Sequence, residues 1–147
     1  AQEVQRRKQA EESARIAEER RRERALTARY PDEATHQAER NAALDQVEEV
    51  VVVAHKRVQS LKAERRRLDV ELEFYRGDVT KAPVLLQRQI ADNEQALADQ
   101  QRFLATQELE KRRIHQRFDA ELAQLRQLWA AQRASSTQWG QLPAPQK

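Results

Sequence analysis

The side chains able to do chemistry in this chain are three histidines, two pairs of neighbouring carboxylates and two basic runs. The histidines are His36, His55 and His115; the carboxylates are Glu48 with Glu49 and Glu71 with Glu73; the runs are Arg65-Arg66-Arg67 and Lys111-Arg112-Arg113. Histidines and carboxylates bind divalent metals or move protons when several converge in a site that excludes water. In the helical pairing derived below, His115 falls near Leu44 and His55 near Leu104, so no two histidines can share a metal, and all three are expected at the surface. Carboxylates spaced along an open helix lack the pocket that shifts a pKa. The chain has no cysteine, and it carries no glycine-rich phosphate loop, Ser-His-Asp arrangement or nucleophile elbow. It therefore reads as a non-enzyme, with no catalytic residue, metal site, cofactor or small-molecule substrate. Nucleic acid is the least favoured partner, because Glu64, Asp69, Glu108 and Glu110 interrupt the basic runs and few aromatic platforms accompany them.

What positions these groups is a heptad seam. Three-four stepping from Leu44 places Val47, Val51, Ala54, Val58, Leu61, Arg65, Leu68, Leu72 and Tyr75 on one helix face, with Arg65 its one strongly polar member. A second seam carries Ile90, Leu97 and Leu104 at seven-residue intervals, with Asn93, Gln100 and Gln107 at the intervening position. It continues as Ile114, Phe118, Leu122, Leu125 and Trp129. Amides on a seam weaken the core but penalise slipped registers.

Two interruptions divide the chain. At Tyr30-Pro31-Asp32-Glu33, proline suits a helix's first turn and the acids suit its dipole. At Arg76-Gly77-Asp78-Val79-Thr80-Lys81-Ala82-Pro83, Gly77 is expected to close one helix in the left-handed conformation, Thr80 to cap the next, and Pro83 to lie in its first turn. The expected organisation is a charged Glu/Arg-rich helical leader over 1–30, an antiparallel coiled-coil hairpin over 31–134 with its tip at 76–83, and a disordered tail over 135–147. In the tail only Trp139 has much capacity to anchor on a partner. If the turn centres near Val79, residues whose numbers sum to about 158 face each other. That pairs Leu68 with Ile90, Leu61 with Leu97, and Arg65 with Asn93 and the adjacent Glu94, while Tyr30 meets Trp129 at the base.

Val50, Val51, Val52 and Val53 step round the helix by about 100° each, covering most of its circumference. Phe103 and Leu109 lie off the second seam at the same level. Val50, Val52, Val53, Phe103 and Leu109 therefore form an apolar girdle that a second hairpin would cover, giving a four-helix homodimer. The tip residues Arg76, Gly77, Asp78, Lys81 and Pro83 are candidates for contacting another partner.

Composition agrees with an extended all-α protein. Of 147 residues 35% are charged and only 5% aromatic, too little bulk for a thick core, and 27 basic against 24 acidic residues leave a net charge of +3. No apolar run approaches a membrane span. The lack of any Met fits either a processed mature form or a trimmed chain.

The segments ALTARYPDEATHQAERNAALDQVEEVV, LDVELEFY and EKRRIHQRFDAELAQLRQLW resemble secreted proteobacterial proteins of poorly characterised function, in which a signal peptide and a small domain precede a long coiled coil. The resemblance spans about residues 25 to 129 and implies export to the periplasm without enzymatic activity; otherwise the chain is expected in the cytoplasm. The basic helical chain also looks like the Skp-type holdase chaperones, though it lacks their trimerising strands. The functional expectation is a coiled-coil spacer or adaptor working by protein–protein interaction in a cell-envelope assembly, as a homodimer or larger complex. The alternative is a periplasmic holdase, and a nucleic-acid-binding coiled coil ranks third.

Overall fold

The computed structural model describes residues 1–140, with side chains to residue 137. The described residues are almost entirely helical and include no strand. Three α-helices run in order: α1 (Gln2–Arg29), α2 (Glu33–Leu72) and α3 (Val84–Gly140), with short 3-10 turns at Glu73–Tyr75 and Val79–Lys81 between α2 and α3. No helix among the described residues is long and apolar enough to cross a membrane. Contacts divide the chain into two units, one built from residues 1–40 and the segment from Gln116 onward, the other from Asn41–His115.

In the first unit, α1 buries no residue. Glu and Arg at helical spacing hold it by exposed pairs: Arg15 with Glu12 at 2.6 Å and Glu19 at 3.3 Å, and Glu18 with Arg21 and with Arg22. Such solvated pairs each add little, so the helix rests on their number and on its alanines. Tyr30 ends α1 with an extended backbone, φ −123° and ψ 83°. Asp32 then caps α2, its Oδ1 accepting from the Thr35 backbone N–H at 2.8 Å and the Thr35 hydroxyl at 2.7 Å. The core of this unit is Tyr30, Leu125 and Trp129, flanked by Leu26 and Leu122.

In the second unit, Leu68 and Leu72 of α2 form one cluster with Ala82, Leu86 and Ile90, against which Tyr75 packs. Arg65 reaches Glu94 at 2.7 Å, and Lys111 lies 3.6 Å from Glu48. Both pairs match the expected register to within a residue. Asn93, expected opposite Arg65, instead donates its Nδ2–H to the Leu61 carbonyl at 2.9 Å. A helical carbonyl points one turn ahead, towards the N–H four residues on, so Asn93 at the level of Arg65 meets the oxygen of Leu61.

The turn differs from expectation in detail. α2 ends at Leu72 rather than near Arg76, because the chain tightens into a 3-10 turn and then takes two left-handed residues, Arg76 (φ 56°) and Gly77 (φ 74°). Gly77 bears this conformation without a Cβ penalty, and its N–H reaches the Leu72 carbonyl at 3.2 Å. Arg76 bears it at a cost of about 1–2 kcal/mol. Thr80 does not cap α3. Asp78 caps the short turn before it, its Oδ1 accepting from the Thr80 N–H at 3.0 Å. Pro83 stands just outside α3, its carbonyl taking the first helical bond from Gln87 at 3.0 Å.

At the other end α3 continues through Gly140, past Ala134 where the periodicity stops. Ser135 to Thr137 include no Gly or Pro to break it. Residues 141–147 of the expected tail, and the Trp139 side chain, lie outside the described residues.

Candidate interaction surface

The seam residues set which faces stay open. Val47, Val51, Val58, Leu61, Leu68, Leu72, Ile90, Ile114, Phe118 and Leu125 are buried, while Leu44, Leu97 and Leu104 are only half-buried. The last two lie where Gln100 and Gln107, themselves half-buried, replace apolar seam partners and leave the helix boundary less well sealed.

Against this inner stripe the valine run divides sharply. Val51 is 5% exposed, whereas Val50 and Val52 are each 42% and Val53 is 67% exposed. Phe103 and Leu109 of α3 are also exposed. Val50, Val53, Ala54 and Arg57 of α2 line a shallow groove with Gln100 and Phe103 of α3. The groove is largely apolar, with Glu49 and Arg57 bringing opposite charges to it.

The tip candidates Arg76, Gly77, Lys81 and Pro83 are exposed, and Asp78 is half-buried. Close to them in sequence, Val70, Phe74, Val84 and Leu85 are exposed as well, Phe74 at 84%. These four were not singled out from the sequence. The signal was present, since each is a large apolar residue off the seam defined by Leu68, Leu72, Leu86 and Ile90.

Three members of the basic runs are paired with acids. Arg65 bonds Glu94 and Asp69, which hold its guanidinium pKa above the ordinary value. Lys111 pairs with Glu108 at 3.1 Å and with Glu48, and Arg113 lies 3.8 Å from Glu110. His55 and His115 are exposed. His36 is not: it is 1% exposed, which corrects the expectation of a surface residue. Its ring sits edge-on to Tyr30 at 4.9 Å and tilted against Phe118 at 5.1 Å, and Nε2 lies 2.8 Å from Glu121 Oε1. A carboxylate oxygen only accepts, so this bond places a proton on Nε2. Arg40, also buried, reaches Asp119 at 2.8 Å beside the same phenylalanine. This polar cluster joins α2 and α3 within the first unit. Among the described residues no three His, Cys, Asp or Glu side chains converge as metal ligands.

Comparison with protein families, with characterised proteins and with solved structures finds none that matches this chain.

Proposed function

We propose that the protein is a non-enzymatic spacer or adaptor, in which α2 and α3 form an antiparallel coiled-coil hairpin that self-associates through its valine girdle within a larger cell-envelope assembly. The observation that carries this reading is the exposure of Val50, Val52 and Val53 around a buried Val51, with Phe103 across the groove. Apolar side chains in such a cluster gain about 25 cal/mol for each Å² removed from water, and a second protein surface is what removes them. The envelope setting rests on the resemblance to secreted proteobacterial coiled coils. Replacing Val50 and Val53 together by serine tests the reading: the mass in solution should fall to that of the monomer while helical content is retained. An unchanged mass would show that the girdle is not the interface.

The exposure of Phe74, Val84 and Leu85 near the turn favours a second reading, a holdase whose apolar side chains meet unfolded segments. That reading requires substoichiometric protein to suppress the aggregation of unfolded clients, and failure across several clients would remove it.

A further inference from the structure

Along α2 the charge changes sign across the valine run. Asp45, Glu48 and Glu49 precede it; Lys56, Arg57 and Lys62 follow it. At about 100° per residue, the buried Val47, Val51, Ala54 and Val58 mark one side of the helix. Asp45, Glu49, Val52, Val53, Lys56 and Ser60 gather on the opposite side, and all six are exposed. Glu48 lies 3.6 Å from Lys111, but Glu49 and Lys56 enter no ion pair among the described residues.

We propose that a second copy of this chain docks antiparallel on this outer face of α2, about a two-fold axis passing between Val52 and Val53. The proposal rests on the self-association above and gives it a geometry. A two-fold contact uses one patch twice, so the patch must complement itself. Under this operation Val52 meets Val53 of the second copy, Glu49 meets Lys56, and Asp45 meets Ser60. At the ends Ala42 meets Ala63, and these small side chains allow two helix axes to approach to about 8–10 Å. A parallel arrangement would instead set acids on acids and bases on bases. Val50 and Phe103 then flank the contact, and Leu109, about 140° round α3 from Leu104, lies outside it.

Because the chain has no cysteine, an introduced thiol reports a single position. Glu49→Cys and Lys56→Cys variants are oxidised separately and mixed, alongside light scattering of the reduced proteins. The antiparallel contact predicts disulfide-linked dimer in the mixture and almost none with either variant alone. Efficient cross-linking of Glu49→Cys with itself, or no cross-link in a mixture that is dimeric by mass, would overturn the geometry and leave self-association standing. A monomer at every concentration would overturn both. Charge reversal gives a second test. Glu49→Lys should weaken the dimer by about tenfold, and adding Lys56→Glu to the same chain should restore it. Failure of the double variant to recover, with helix intact, contradicts the antiparallel contact.

Discussion

The indole N–H of Trp129 donates to the backbone carbonyl of Tyr30 across 3.0 Å, in the buried centre of the first unit. Tyr30 has left α1 and not yet entered α2, so its carbonyl is not committed to a helix ladder. Trp129→Phe keeps an aromatic ring and removes the donor. It is expected to lower stability by about 1–3 kcal/mol, measured by urea unfolding, with helical content preserved.

His36 fills the space between Tyr30 and Phe118 and is bonded to Glu121. His36→Ala leaves a cavity and withdraws a polar partner, and should cost about 2–4 kcal/mol. Glu121→Gln retains an acceptor oxygen, so its cost should be clearly smaller. Equal losses in thermal unfolding would mean that the charge of Glu121, rather than the packing of His36, dominates.

Burial, and next the charge of Glu121, raise the pKa of the Tyr30 phenol above its ordinary value. The folded state thus favours the neutral phenol. Its contribution is present in full below the unfolded pKa of about 10 and is lost as pH rises through the folded value. Urea midpoints should therefore fall on the alkaline side, and Tyr30→Phe should make that fall shallower.

Asp32 shows the opposite linkage. The Thr35 backbone N–H, and next the Thr35 hydroxyl, hold its carboxyl below the usual range. Its contribution is present above the unfolded pKa of about 4 and is lost as pH falls through the folded value. Asp32→Ala should lower the melting temperature at neutral pH by a few degrees and remove part of the acid dependence. A melting curve that keeps its full acid dependence would assign that loss to other carboxylates.

The inner face of α2 was legible because heptad spacing reports burial directly: Val47, Val51, Ala54, Val58 and Leu61 recur at three and four, and all are buried. Stepping back from Leu44 by fours reaches Arg40 and His36, and both are buried too. They were missed because their polarity conceals the period, and because the aromatic ring and carboxylates that accommodate them come from α3. Leu86 and Ala82 were missed since the cluster they join depends on how the chain leaves the 3-10 turn after Asp78, which local spacing does not encode. The exposure of Val50, Val52 and Val53 was legible for a different reason. Four consecutive valines cannot all face one way on a helix, and only Val51 does so here.

The most direct measurement is the mass in solution by light scattering over a concentration series, with circular dichroism on the same samples. Self-association through the valine girdle predicts a rise from the 17.2 kDa of one chain to twice that value with helical content unchanged. A fully helical protein that stays at 17.2 kDa throughout the series would contradict it.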